Sequence, residues 1–330
     1  MLILSVIICT YNRSNLLKRV LESITTQTLS KDKYEVVIID DGSEDETRKI
    51  VSSFYKILPI RYFYQRNSGL ASAKNHGIYV SRGKILLFLD DDDIATPTLF
   101  EKHISTHEDY PENNYAVLHY TTWAPDMVIT PLMHFITEIG CFLFSYPYIK
   151  HGDILDYTYF WGGRSSCKRT FLIEHGVFNQ VFRFGCEDIE LGFRLSQHNL
   201  RVVYNSHAIS YMIRPINFDD FCKRLIKQGR SQFVFSQLHN DPYVLKWTEV
   251  IDADKTWETI KDLFFLKLKS ARDLDKIANM KMKYNLNIDE ETLKILHNLY
   301  WWVFKACKIK GIIEAKEKMS QKIKNYQKTT

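Results

Sequence analysis

The chain has 330 residues, of which 45% are hydrophobic, 14% aromatic and 25% charged, enough to bury a sizeable core in one large or two ordinary domains. With 13 Gly, 8 Pro and no repetitive tract, solenoid and collagen-like architectures are excluded. The net charge of +5 is uneven, because Lys305 to Thr330 carry eight Lys against two Glu and the remainder is near neutral.

The longest unbroken apolar run is six residues, Leu299 to Phe304, against roughly 20 for a membrane-spanning helix. Met127 to Ile149 is the nearest longer candidate, but Pro131, His134, Glu138 and Pro147 interrupt it, so it reads as a buried or interfacial segment. MLILSVIICT has no basic region before its apolar residues, which argues against a secretory signal and for a cytoplasmic location. The six Cys lie at least 19 residues apart, without zinc spacing, and read as reduced thiols.

In chain order, Leu2 to Cys9 is a predicted strand. Ser14 is placed to cap a helix whose Leu16, Leu17, Val20, Leu21 and Ile24 share one face. Glu35 to Ile39 predicts a second strand ending at Asp40, Asp41 and Gly42, and Ser43 with Glu46 forms a capping-box pattern. Ile60 to Tyr64 is a third strand, Leu70 to Val80 a helix and Ile85 to Leu89 a fully buried strand. Thr96 and Pro97 open another helix. After an irregular aromatic stretch from Tyr115 to Trp161, Glu187 and Asp188 begin a helix, and Arg201 to Met212 is a strand. Lys-rich helical patterns follow Pro215. The pattern predicts an α/β domain over residues 1–215, in two parts, 1–100 and 101–215, then a helical extension over 216–330.

Ligands of open α/β sheets bind at the carboxyl ends of strands, and both acidic clusters, Asp40–Asp41 and Asp90 to Asp93, follow predicted strands. Four consecutive aspartates raise one another's pKa unless a positive charge compensates. A hard divalent cation, Mg²⁺ or Mn²⁺, suits Asp90 and Asp92; an acidic turn capping the next helix is the structural alternative. No dinucleotide, P-loop, serine-hydrolase or zincin motif occurs.

Six motifs in register, SVIICTYNR, EVVIIDDGSEDET, NSGLASAKNHGI, ILLFLDDDD, WGGRSSCKR and FGCEDIELGFRL, span two thirds of the chain. Together they resemble the family 2 glycosyltransferases, which have the GT-A fold: a Rossmann-like, mixed but mostly parallel sheet flanked by helices. The resemblance implies an inverting transfer of a hexosyl or N-acetylhexosaminyl group from a UDP-sugar to an acceptor hydroxyl in glycan or polysaccharide biosynthesis. It places Thr10, Tyr11 and Arg13 around the base and ribose, and Asp41 at the uracil N3–H. Lys74, Asp90 and Asp91 fall beside the nucleotide, with Asp92 and Asp90 at a Mn²⁺ or Mg²⁺ ion. Asp188 matches the catalytic base, and Glu187 orients the acceptor or a neighbouring loop.

Two departures stand out. Lys74 replaces the family's arginine, a point charge for a planar fork, with Arg66 eight residues before it. Met212 stands where a histidine metal ligand is common, and His207 is five residues away, on the opposite strand face unless a bulge intervenes. The aromatic stretch, including Trp123, Tyr146, Tyr148, Tyr157, Tyr159, Phe160 and Trp161, matches the acceptor side, while Gly162 and Gly163 permit close backbone approach. The segment FDDFCKRLIKQGRSQFVF resembles a helix that follows the catalytic domain in some members. The basic tail, with Tyr300, Trp301 and Trp302, is either a solvated helix or a peripheral contact with the inner face of a membrane, near a lipid-linked or glycan acceptor. Nucleic acid is not an expected partner. The competing functions are an aspartate-based phosphatase, suggested by FLDDDD but leaving Glu187–Asp188 unexplained, and a basic-tailed membrane or nucleic-acid binding protein with an inactive transferase domain.

Overall fold

The computed structural model describes residues 2–329; the side chains of residue 323 and of 325–330, among them the last lysine of the basic tail, lie outside the described residues. The chain forms two compact units. The first comprises residues up to Met127, Tyr148–Arg183 and Glu187–Arg214; the second comprises Val128–Pro147, Phe184–Cys186 and the chain from Pro215 on.

The elements follow in order as β1 (Leu4–Thr10), α1 (Ser14–Ile24), β2 (Tyr34–Asp40), α2 (Thr47–Ser53), β3 (Ile60–Tyr64), α3 (Leu70–Val80), β4 (Ile85–Phe88), β5 (Asp93–Ala95), α4 (Leu99–Asp109) and β6 (Tyr115–Trp123). Next come α5 (Pro131–His134), β7 (Ile154–Leu155), β8 (Ser165–Lys168), α6 (Arg169–His175), α7 (Glu187–Ser196), β9 (Arg201–Met212), α8 (Phe218–Leu238), α9 (Pro242–Thr248), α10 (Ala253–Lys283) and α11 (Glu290–Thr329).

In the first unit, nine strands among the described residues form one sheet of order β3-β2-β1-β4-β8-β6-β9-β5, with β7 also on β9. The strands β3, β2, β1 and β4 are all parallel. This parallel half exists because β1, β2 and β4 are apolar on both faces and need helices above and below. On one face Leu4, Val6 and Ile8 pack with Leu17, Val20, Leu21 and Ile24 of α1 and with Phe100 of α4. On the other, α3 approaches Ile7 so closely that a Cβ on Gly77 would lie 2.5 Å from its Cγ2. Beyond β4 the sheet turns antiparallel through β8, and β9 returns parallel to β6.

The helix starts differ from the capping pattern. Ser14 is the first helical residue of α1, and its backbone N–H donates to Asp45 Oδ2. Ser43 accepts from the Asn12 N–H, and α2 begins only at Thr47, which Asp45 holds through backbone and hydroxyl. Thr96 donates its hydroxyl to the Ile209 carbonyl, and α4 starts at Leu99. In each case a bond to another segment outcompetes the local cap.

Between α4 and the sheet lies a polar core. His103 Nδ1 meets Ser166 Oγ at 2.8 Å and its Nε2 meets His119 Nδ1 at 3.0 Å, while His107 also reaches Ser166. Burial lowers the pKa of all three, His103 to about 3, so they are neutral structural partners.

The second unit is helical. Helices α8 and α11 cross with their backbones nearly touching: a Cβ on Gly229 would lie 2.0 Å from the Lys308 carbonyl oxygen, and one on Gly311 2.0 Å from that of Ile226. Leu296, Tyr300, Val303, Phe304, Cys307 and Ile312 of α11 are almost fully buried. Tyr300 stacks on Phe304 and donates its hydroxyl to Asp275 of α10, so this part of the aromatic cluster is core; Trp301 is partly exposed and packs on Phe142. The exposed lysines Lys318, Lys322 and Lys324 lie beyond it. Among the described residues, no helix is long and apolar enough to cross a membrane.

Candidate active site

The carboxyl ends of β1, β2 and β4 bring three loops together, as the parallel register requires. After β1 the chain turns at Asn12 (φ 52°), whose Oδ1 accepts from the Glu44 N–H, stitching the first loop to the second. Thr10 and Arg13 both reach Asp91, with Oγ1 to Oδ2 and Nη1 to Oδ1 at 2.8 Å each, and Tyr11 is exposed beside them. Asp41 at the end of β2 is buried: its Oδ1 accepts from Gln65 Nε2 and the Ser68 N–H, and its Oδ2 from the Gly69 N–H. An ionised carboxylate has about four acceptor positions, so Asp41 braces the loop before α3 and Oδ2 still has capacity for one more donor. Arg66 is exposed.

The acidic turn after β4 is neutralised by arginines. Arg164, just before β8, places Nη1 2.7 Å from Asp90 and Nη2 2.8 Å from Asp93. Arg214, two residues beyond β9, places Nε 2.5 Å from Asp92, and Arg13 lies 3.6 Å from the same carboxylate. Burial opposes ionisation of Asp90, but Arg164, with Lys74 and Arg13, holds its carboxyl below the ordinary range. Asp91 is pushed up to about 6 by burial, against Arg13. Asp93, with no exposed surface, rises well above the ordinary range through burial and its three acidic neighbours.

The geometry also tests the fit of a divalent cation. Among the described residues, no group of three or more His, Cys, Asp or Glu side chains is arranged as a metal cage. Met212 pairs with Asp93 across β9 and β5, so no imidazole stands there. His207 lies in the irregular part of β9 between Asn205 and Ile209, its ring 4.4 Å from His151, lining a separate cavity of about 270 Å³ with Lys102 and Tyr204. Asp90 and Asp92 still suit an ion that takes one or two carboxylates and fills its shell with water and phosphate oxygens.

Across the turn from these groups stands Asp188, in the first turn of α7. Its Oδ2 accepts from the Gly162 N–H at 3.0 Å and its Oδ1 from the Ile189 N–H at 2.9 Å. Burial, then the neighbouring Glu187 charge, raises its pKa, with Lys74 opposing. The two glycines lie between the acidic turn and Asp188. A Cβ on Gly163 would fall 2.2 Å from Asp90 Oδ1, and one on Gly162 would fall 3.1 Å from Asp188 Cβ and 2.7 Å from Lys74 Nζ. A side chain at Gly163 would displace the Asp90 carboxylate, and one at Gly162 would press on the Lys74 ammonium.

The structure thus gathers Thr10, Arg13, Asp90, Asp91 and Asp92 at one edge, with Asp188 and Glu187 close by. Lys74 joins them through Glu187 at 3.2 Å. Arg164 and Arg214 were not singled out from sequence. The signal for them was the acidic run itself, whose repulsion demands cations, but they come from positions over 70 and 120 residues away.

Residues 5–168 match the family described as glycosyl transferase family 2. Validoxylamine A glucosyltransferase of Streptomyces hygroscopicus subsp. jinggangensis is 30% identical over 225 residues, covering 60% of this chain and 52% of that protein. The uncharacterized glycosyltransferase YfnE of Bacillus subtilis is 27% identical over 239 residues, covering 59% of this chain and 61% of that protein. The chain therefore spans between half and about three fifths of these relatives. Among solved structures, S. aureus TarS 1-349 superposes with a TM-score of 0.55 at 17% identity, over 97% of this chain and 92% of that one. The mannosyltransferase PcManGT of Pyrobaculum calidifontis superposes at 0.58 and 16% identity, over 94% and 86%. Sheet, motifs and matched family agree: the domain over residues 5–168 belongs to glycosyltransferase family 2, and the fold is GT-A-like.

Proposed function

We propose that the protein transfers a hexosyl or N-acetylhexosaminyl group from a UDP-sugar to an acceptor hydroxyl, with inversion, in the synthesis of a glycan or polysaccharide. The observation that carries this reading is Asp188, held by two backbone N–H groups on the far side of a two-glycine turn from the acidic cluster. In this reading Thr10, Tyr11, Arg13 and Asp41 hold the nucleoside, with the uracil N3–H donating to Asp41 Oδ2, while Asp90 and Asp91 flank the nucleotide and Lys74 lies on the side of Glu187. The acceptor oxygen attacks the anomeric carbon as Asp188 takes its proton, and the anomeric C–O bond breaks with its electron pair leaving on the diphosphate. Glu187 orients the acceptor side. Asp90 and Asp92 would hold a Mn²⁺ or Mg²⁺ ion, which when bound neutralises charge on the departing diphosphate.

Solved relatives of this fold support the donor class, since TarS has been seen with UDP and UDP-GlcNAc and PcManGT with GDP-Man and Mn²⁺. The acceptor is proposed to be a glycan or lipid-linked hydroxyl. Contact with an anionic membrane, at its inner face, would fall to the exposed lysines beyond the buried part of α11. Thermal unfolding tests the donor: UDP with Mn²⁺ is expected to raise the melting temperature, because a ligand bound only by the native state stabilises it, by about 2.7 kcal/mol at a hundredfold excess over Kd. Asp92→Ala is expected to lose the Mn²⁺-dependent part of that rise. A larger rise with GDP than with UDP, or a full rise in excess chelator, contradicts the assignment.

A further inference from the structure

The ammonium of Lys74 is buried, with only 4% of the residue exposed. Its Nζ lies 3.2 Å from Glu187 Oε1 and 5.0 Å from the centre of the Phe178 ring. That ring is fixed in turn, because Asn75 clamps the Phe178 backbone, donating Nδ2 to its carbonyl and accepting its N–H at Oδ1. Phe88 closes the ring's edge from β4. Consecutive residues of α3 thus lock onto both sides of one locus: Asn75 sets the loop before α7, and Lys74 sets the first residue of α7.

A buried ammonium and carboxylate are costly unless each is well placed, and here the pairing is incomplete. Glu187 Oε2 is buried and, among the described residues, lacks a hydrogen-bond partner. Lys74 therefore holds Glu187 at one oxygen, and the other, buried oxygen adds no competing contact among the described residues. The titratable groups facing Lys74 are Glu187 and Asp188 from α7, Asp90 from the turn after β4 and the Cys9 thiol from β1, which burial keeps protonated. Those facing Asp188 are Glu187 and Lys74.

We propose that Lys74 is a positioning residue for the base: its ammonium anchors Glu187 and the start of α7, so that Asp188 stays aimed over the Gly162–Gly163 turn. This rests on Asp188 being the base, and it moves the work of Lys74 from the nucleotide to the acceptor side. The role follows from what Lys74 touches. An arginine fork at this position would have to fit below Gly162, where Nζ already lies 2.7 Å from the site of an added Cβ.

The test is a double-mutant cycle on the full chain, with UDP affinity by calorimetry and turnover at saturating donor. Lys74→Met is expected to lower turnover roughly 10- to 100-fold, the scale of a misaligned reacting group, with UDP affinity within about twofold of wild type. Removing the ammonium also removes the charge that favours ionised Asp188, so the acid limb of the pH–turnover profile is expected to move to higher pH. In the Glu187→Gln background, where the double variant removes both charges of the buried pair, Lys74→Met is expected to add little, because both residues act through one contact. Loss of UDP affinity with intact turnover, or a full additional loss in the Glu187→Gln background, overturns the proposal. Wild-type turnover in Asp188→Asn removes the base assignment itself and is read separately from either Lys74 result.

Discussion

Asp188→Asn is expected to lower turnover by roughly 10² to 10⁴, about 3 to 5 kcal/mol of barrier, while leaving donor affinity near wild type. The amide keeps the size of the side chain and still offers one oxygen to the Gly162 or Ile189 N–H, but it cannot take the acceptor proton. Wild-type activity is expected to fall on the acid side when Asp188 protonates. Burial and Glu187 raise its pKa, so that limb should lie above the range of an ordinary exposed aspartate, near 4. Glu187→Gln is expected to be milder, since it retains hydrogen bonding without being the proton acceptor. Turnover of Asp188→Asn close to wild type, or a product of retained anomeric configuration by NMR, contradicts this mechanism.

The largest expected effect on stability lies in the second unit. Gly→Ala inside a helix normally gains about 1 kcal/mol of helix propensity, but at Gly311 the new methyl would meet the Ile226 carbonyl oxygen at 2.0 Å. Backbone cannot rotate away as a side chain can. Helices α8 and α11 must separate, giving up contacts around Phe221 and Phe304, whose rings are 4.9 Å apart. Gly311→Ala should therefore cost about 1 to 3 kcal/mol, and Gly311→Val more. Denaturant unfolding followed by circular dichroism measures it. A Gly311→Ala protein as stable as wild type would show that the helices do not cross this closely.

Much of the first unit was legible because its signals are local. The apolar runs that become β1, β2 and β4, and the pattern that becomes α3 over Leu70–Val80, are written in consecutive residues. The place of Asp188 in the first turn of α7 was legible from the helical pattern that follows it. The helix starts were not, because Ser43 and Thr96 spend their hydroxyls on Asn12 and Ile209, partners supplied by other segments. The arginines at the acidic turn are another such case: Arg13, Arg164 and Arg214 converge only once β1, β8 and β9 are paired. For α11 the run of lysines drew attention to charge, whereas Leu296, Tyr300, Val303, Phe304 and Cys307 already carry the helical spacing of a buried face. Lys74 could be matched by motif to the nucleotide, but its contact with Glu187, 113 residues away, is a property of the packed molecule.

The most direct test of the central claim is release of UDP from a panel of UDP-sugars incubated with the protein and Mn²⁺, run beside Asp188→Asn. The account expects at least one UDP-sugar to be turned over by the wild type, with the signal lost in chelator and reduced at least a hundredfold in Asp188→Asn. Release from no nucleotide sugar, or equal release by both proteins, would contradict it.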